Sequence, residues 1–241
     1  MSNLIKTLGE NTQFVLVSVC VIAVIILISK LVETKLLKET VAKVGKTRYI
    51  TTCAMFGAIA MVLHILDFAI PFLAPGFYKL DFSEVPVMIG GFLLGPVGGV
   101  VIEVVKILLK LVVKGTTTAF VGDLANFVVG CAFVVPASIV YHMNKTKKTA
   151  FIALVTGTCC MTVFGSLFNG IYLIPAFAAL YGMPVDVIIS MGTEVNKGIT
   201  SIWTLVLFSV VPLNILKGVM ISVVTALLYK RISKVLHNSF N

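Results

Sequence analysis

The sequence predicts an all-α integral membrane protein, built as a bundle of transmembrane helices. Of its 241 residues, 59% are hydrophobic and only 12% are charged, and the mean hydropathy is +1.08. Soluble globular domains contain about 45–50% apolar and about 25% charged residues, so the composition argues against a soluble enzyme and a disordered chain. A bilayer core of about 30 Å needs about 20 apolar residues per helix, which leaves room for roughly six or seven spans.

The apolar stretches define the predicted spans. The first covers residues 13–29, and we expect a retained helix because no Ala-x-Ala cleavage site follows it. The segment 84–94 is too short to cross a bilayer upright, so Gly95-Pro96 should form a tight turn into the next helix. The segment 149–180 is too long for one straight span and should kink near Pro175. The other apolar segments are 49–66, 96–113, 118–141 and 202–228.

Charged residues are unevenly distributed along the chain, which carries 19 basic and 10 acidic residues and a net charge of +9. Most of the basic residues fall in 30–48, 145–148 and 230–234, and cytoplasmic connections are enriched in such residues. The long loops 67–83 and 181–201 are mostly acidic and are assigned to the outside. We therefore expect the N-terminus outside and the C-terminus in the cytoplasm. Because these lysines flank apolar runs, nucleic acid is not an expected partner.

Polar side chains inside the apolar segments indicate a binding site. Asn214 and Lys217 lie three residues apart on one helical face, and Asn169 and Asn126 lie in two other segments. A Lys at membrane depth costs about 2.5–3.5 kcal/mol, so such groups are usually functional. Amide and ammonium groups together can pair with a ligand edge that alternates carbonyl and N–H groups. The alternative is that the asparagines only tie helices together, at about 0.6 kcal/mol per bond.

A charged stripe in the segment 96–113 has two interpretations. Glu103, Lys106 and Lys110 recur at helical spacing on one face. The favoured interpretation is an internal ion pair, with Lys110 extending outward along the apolar surface. The alternative is a proton or ion relay formed by Glu103, Lys106 and Asp123, as a stand-alone secondary transporter would need.

The first outer loop, residues 67–83, is unusually aromatic. Three further residues, Pro71, Pro75 and Gly76, suggest a shaped loop, whose rings could cap a planar ligand. The alternative is an interfacial aromatic belt. The five rings are Phe68, Phe72, Phe77, Tyr78 and Phe82.

Catalytic and metal-binding motifs are missing from the sequence. The three histidines, His64, His142 and His237, are far apart and show no metal-ligand spacing. No serine lies in a Gly-x-Ser-x-Gly elbow, and a match to a phosphate-binding loop at Gly45-Lys46-Thr47 lacks its first glycine. We therefore expect neither an enzyme nor a bound metal or resident cofactor.

Several motifs in a fixed order resemble one family, the substrate-binding S components of energy-coupling factor (ECF) vitamin transporters. They are KLDFSEVP (79–86) with IGGF (89–92) and LGP (94–96), GDLANF (122–127), YGMP (181–184) and VPLNILKG (211–218). The riboflavin-specific branch is the most similar, and the resemblance covers about residues 46–234. An additional N-terminal span is a departure from that family's six-helix core.

The resemblance implies a fold, a function and partners. Residues 46–241 would form the six-helix S-component domain, and residues 1–45 an extra transmembrane helix with a basic cytoplasmic linker. The chain would bind riboflavin in a pocket that opens outward from a bacterial cell membrane, with FMN as the other flavin considered. It would then work with a membrane coupling subunit and two ABC-type ATPases. Ala54 and Ala58 match the small-residue motif by which the first core helix contacts the coupling subunit.

The expected substrate-binding residues combine both arguments. In the riboflavin branch, Asn and Lys side chains of the last two helices hold the flavin ring, and the matching positions are Asn169, Asn214 and Lys217. The alternatives to this function are a stand-alone secondary transporter and an S component for another vitamin. The full set of expected binding residues is Asn169, Asn214, Lys217, Asn126, Phe82, Lys79 and Tyr78.

Overall fold

The computed structural model describes residues 12–37, 41, 44–116, 118 and 120–240, and it is almost entirely helical. Parts of the predicted N-terminal unit, residues 1–11 and residues 38–40 and 42–43 of the basic linker, lie outside the described residues. The helices are α1 (Thr12–Leu36), α2 (Lys46–Ile65), α3 (Glu84–Leu94), α4 (Pro96–Val113), α5 (Val121–Met143), α6 (Lys147–Phe168), α7 (Ile174–Tyr181), α8 (Val185–Val195), α9 (Ile202–Leu205) and α10 (Val211–Phe240).

The predicted all-α membrane bundle is confirmed. Among the described residues, four helical stretches are long and apolar enough to cross a bilayer: Lys46–Ile65, Val121–Met143, Lys147–Tyr181 and Ile202–Tyr229. The aromatic loop between α2 and α3 adds one short antiparallel pair of strands, β1 (Phe68–Ala69) and β2 (Lys79–Leu80). This pair closes the loop over one end of the bundle.

The short helices α3 and α4 form the predicted hairpin. Gly95 turns the chain with a φ of 90°, a conformation that favours glycine, and Pro96 begins α4 where no backbone donor is needed. The two helices then pack closely, because a side chain at Gly99 of α4 would lie 3.5 Å from Gly91 Cα of α3. The hairpin therefore returns to the end of the bundle where it began.

Two π-helical segments interrupt the long helices, and a proline follows each. The segment Asn169–Leu173 joins α6 to α7 before Pro175, and the segment Val206–Val210 joins α9 to α10 before Pro212. A proline removes one backbone donor and clashes with the preceding turn, which a wider turn relieves. The irregularity predicted near Pro175 is thus present.

Part of the predicted second outer loop is helical, so that prediction is wrong for α8. This helix begins after Pro184 and buries Ile188 and Gly192 on one face. The buried face packs beside Ile199 and Leu205, since a side chain at Gly192 would meet both of them. The helix is amphipathic, with Asp186, Ser190, Thr193 and Glu194 together on the side away from the buried residues.

Helix α1 packs against α4 and α5 and is part of the same bundle. Val21, Ile22 and Ile25 lie against the cluster that contains Val100 and Phe127. The predicted division into residues 1–45 and 46–241, and the count of six core helices plus one, stay predictions.

Candidate functional site

A cavity of about 330 Å³ lies at the end of the bundle under the aromatic loop. Small-molecule sites typically measure about 300–1,000 Å³, so it is large enough for a small ligand. Its walls come from the end of α2 and the loop that follows it, from the end of α4, the start of α5 and the connection between them, and from the π-helical segment after α6, α7 and α10.

The structure brings most of the predicted binding residues to this one cavity. Its lining includes Asn169, Asn214 and Lys217. Altogether, six of the seven predicted binding residues line this cavity. The other three in the lining are Asn126, Tyr78 and Lys79. The predicted set thus has one exception.

Phe82 is the exception and does not line the cavity. It packs instead against the main hydrophobic core, and its ring centroid lies 6.3 Å from that of Phe68. The side chain of Asp81 lines the cavity, and the side chain of the next residue, Phe82, therefore points toward the core. A direct ligand contact by Phe82 stays a prediction that the cavity lining does not support.

The aromatic loop has features of both roles considered for it, a cap over a planar ligand and an interfacial aromatic belt. Phe77 and Tyr78 line the cavity, with ring centroids 4.6 Å apart. Phe72 is 84% exposed, as a residue of an interfacial belt would be. The loop therefore contributes both a cavity wall and an outer apolar surface.

The amides of Asn169 and Asn214 meet at Gly165. The Asn169 amide Nδ2 donates to the Gly165 carbonyl at 2.8 Å, and Tyr78 donates its hydroxyl to Asn169 Oδ1 at 3.2 Å. A side-chain carbon at Gly165 would lie 3.2 Å from Asn214 Nδ2. Asn214 Nδ2 is buried and has no hydrogen-bond partner among the described residues. A buried donor of this kind is costly unless a ligand or water satisfies it.

Lys217 has a protein counterion that the sequence analysis missed. Its ammonium Nζ lies 3.3 Å from Asp81 Oδ2, and His64 Nδ1 lies 3.4 Å from the same oxygen. Burial alone would raise the pKa of Asp81, but the neighbouring Lys217 and His64 hold that pKa well below its ordinary value. A buried Lys needs a partner of opposite charge. This requirement was the signal that an acidic residue such as Asp81 lies near Lys217.

Further ion pairs surround the cavity. Lys79 pairs with Asp67 at 3.2 Å, and Lys114 lies 3.8 Å from the same carboxylate. Lys110 pairs with Asp123 at 2.6 Å and faces the cavity, so the expectation that it extends outward to the interface is wrong. The nearby Asp123 carboxylate holds it inside. Pairs of opposite charge therefore line the cavity.

Asn126 satisfies its own amide. Its Nδ2 donates to the Gly122 carbonyl at 3.3 Å, one helical turn earlier, and the side chain lines the cavity. Its oxygen is the group that it can offer to a ligand.

A second charged cluster lies in the core, outside the cavity lining. Lys106 is fully buried and lies 2.9 Å from Glu84 and 2.6 Å from Glu103. The predicted internal ion pair between Glu103 and Lys106 is present, and Glu84 is an addition that the sequence analysis missed. Asp123 belongs to a separate pair with Lys110.

Ala54 and Ala58 lie on a face of α2 that points away from the core. Ala54 is exposed and Ala58 is half-buried, whereas Cys53, Gly57 and Ala60 on the side toward the core are buried. The face is open to another membrane protein or to lipid.

Comparison with known proteins identifies the family. The family model described as "ECF transporter, substrate-specific component" matches residues 48–229, which is most of the chain. The chain belongs to this ECF transporter family. It is therefore a membrane-embedded, substrate-specific transport component (S component) and not an enzyme.

Named relatives and a solved structure agree with this assignment. The riboflavin transporter RibU of Staphylococcus aureus is 34% identical over 191 residues, which cover 79% of this chain and 93% of the relative. The riboflavin transporter FmnP of Bacillus subtilis is 30% identical over 185 residues, or 76% and 91% of the two chains. A solved S component of a bacterial ECF transporter is 34% identical, with a TM-score of 0.62 over 80% of this chain and 99% of that chain.

Proposed function

We propose that this S component binds riboflavin in the cavity under the aromatic loop. It captures the vitamin outside a bacterial cell and delivers it with a membrane coupling subunit and two ABC-type ATPases. For capture from outside, we propose that the N-terminus lies outside the cell and the C-terminus lies in the cytoplasm. The observation that carries the proposal is that Asn169, Asn214 and Lys217 share one cavity in a chain whose relatives are named riboflavin transporters.

The chemistry of the cavity supports a flavin. The pyrimidine edge of the isoalloxazine ring alternates carbonyl and N–H groups. The free Asn214 Nδ2 and the Lys217 ammonium are donors for its carbonyl oxygens, and asparagine oxygens can accept from its N–H. Phe77 and Tyr78 provide flat apolar walls for the ring itself. The ligand would thus satisfy a donor that the protein leaves unpaired.

The exposed face of α2 supports coupling to a transporter module. Ala54 and Ala58 present small side chains there, which allow another helix to approach closely. We propose this face as the docking site for the coupling subunit.

Binding measurements on the purified chain test the ligand. We expect riboflavin to lose fluorescence on binding and to raise the melting temperature of the protein, with FMN as a second arm. Asn214→Ala and Lys217→Ala should each weaken riboflavin binding by at least tenfold, or about 1.4 kcal/mol, because each removes a donor.

Matched control variants lie in the exposed turn between α5 and α6. Asn144→Ala and Lys145→Ala remove the same side-chain types at exposed positions and should leave the affinity unchanged. Affinity near that of the wild type in both cavity variants would move the site elsewhere. No binding of riboflavin by the wild-type chain would reject the proposed ligand.

A further inference from the structure

The carboxylate of Asp81 connects three separate parts of the chain at the cavity. Asp81 is only 5% exposed. Its Oδ1 accepts the backbone N–H of Ser83 at 2.8 Å, at the start of α3. Its Oδ2 lies 3.3 Å from Lys217 Nζ on α10 and 3.4 Å from His64 Nδ1 in the last turn of α2. Both oxygens of Asp81 are thus already engaged by protein groups.

Asp81 is the carboxylate in direct contact with the Lys217 ammonium, and Glu84 in the core cluster also acts on Lys217 electrostatically. Among the described residues, the other carboxylates near the cavity have their own cations: Asp67 has Lys79, and Asp123 has Lys110. The side chain of Lys217 is only 11% exposed. An ammonium this deeply buried would be strongly destabilised without its partner.

A lysine side chain is flexible, and its donors have no fixed direction. The contact with Asp81 limits where the ammonium of Lys217 can lie. Asp81 is in turn fixed by Ser83, because the Oδ1 contact holds its carboxylate in one orientation. The ammonium is therefore held at the wall that also carries Asn214, before any ligand enters.

We propose that Asp81 is a positioning residue for ligand binding, which acts by holding Lys217 in place rather than by touching the ligand. This inference rests on the proposed binding of riboflavin at Lys217. Preorganised donors bind more tightly, because the cost of ordering them is met before binding.

A double-mutant cycle on the full-length chain tests this inference. Asp81→Asn keeps an oxygen that accepts the Ser83 N–H and removes the charge that holds Lys217. We expect it to weaken riboflavin binding about tenfold in the wild-type background. In the Lys217→Met background, the same change should alter the dissociation constant by less than about twofold. Asp186→Asn, on the exposed face of α8, is the matched control and should have no effect.

Each outcome decides the inference. Equal losses from Asp81→Asn in both backgrounds would show that Asp81 acts independently of Lys217, and would overturn it. No loss in the wild-type background would also overturn it. If Asp81→Asn does not fold, the double variant should fold, since it no longer buries an unpaired charge; failure of both to fold counts against the inference.

The cycle also separates this inference from the proposed function. If the wild-type chain does not bind riboflavin, the proposed ligand fails. The melting temperature still reports on the pair: Asp81→Asn should lower it when Lys217 is present and not when Met replaces Lys217. Equal decreases in both backgrounds would reject the role of Asp81 in holding Lys217.

Discussion

Gly165 lies where the two amides of the cavity meet. Its carbonyl accepts from Asn169, and its missing side chain leaves the space that the Asn214 amide occupies. A methyl group there would lie 3.2 Å from Asn214 Nδ2 and 3.4 Å from Val129 Cγ1, which is tighter than most contacts in proteins. The position of the free donor in the cavity therefore depends on a glycine that lies outside the cavity lining.

Gly165→Ala should weaken riboflavin binding by about three- to tenfold, because Asn214 must shift by a few tenths of an ångström. The measurement is a fluorescence titration with riboflavin. Gly45→Ala is the matched control, since a side chain at Gly45 would contact nothing within 4 Å. Unchanged affinity in Gly165→Ala would mean that Asn214 does not need its present position to bind.

Among single residues, the sequence identified those cavity residues whose polar side chains lie inside apolar segments. Asn169, Asn214 and Lys217 stand out because polar groups are costly inside apolar helices. Asp81 did not stand out, because an acidic residue is ordinary in an outer loop. Only the fold shows that this loop brings Asp81 to Lys217 and His64.

Glu33 links α1 to the start of α4. Its Oε2 accepts the backbone N–H of Val97 at 3.2 Å. Val97 is the second residue of α4, and the first amides of a helix have no partner within the helix. A negative charge near a helix N-terminus is also favourable, by about 0.3–1 kcal/mol. Helix α1 therefore supplies a cap to the helix against which it packs.

Glu33→Ala should lower the melting temperature of the purified chain, since loss of a cap costs about 0.5–2 kcal/mol. Riboflavin affinity should stay the same, because Glu33 lies outside the cavity lining. Glu194→Ala, at an exposed position of α8, is the control. An unchanged melting temperature in Glu33→Ala would show that this contact does not stabilise α4.

Element boundaries were predicted well where sequence signals were local. The limits of α3 and α4 match the predicted segments 84–94 and 96–113, because Gly95-Pro96 marks the turn between them. Helix α8 was missed although its sequence is amphipathic, because the acidic residues of the segment led to its assignment as an outer loop. The contact between Glu33 and α4, in contrast, depends on the tertiary fold.

The whole bundle has two distinct ends. The cavity and the aromatic loop lie at one end, together with the start of α3 and the end of α4. The turn at Gly95 and the connection between α5 and α6 lie where these helices reach the other end. The basic residues flanking the α5–α6 connection favour the cytoplasm for that end. The cavity would then face the outside.

Labelling in intact cells tests this orientation. In a variant whose five native cysteines are replaced, Lys197→Cys should react with a membrane-impermeant maleimide. Lys145→Cys should react only after the cells are permeabilised, because the α5–α6 connection is expected inside. Both positions are exposed, so they differ chiefly in the side of the membrane. The reverse pattern would invert the proposed topology.

The most direct measurement is an experimental structure of the purified chain with riboflavin bound. We predict that the flavin ring lies in the cavity under the aromatic loop, with its pyrimidine edge within hydrogen-bond distance of Asn169, Asn214 and Lys217. A flavin bound elsewhere, or turned so that none of these side chains reaches it, would contradict the account.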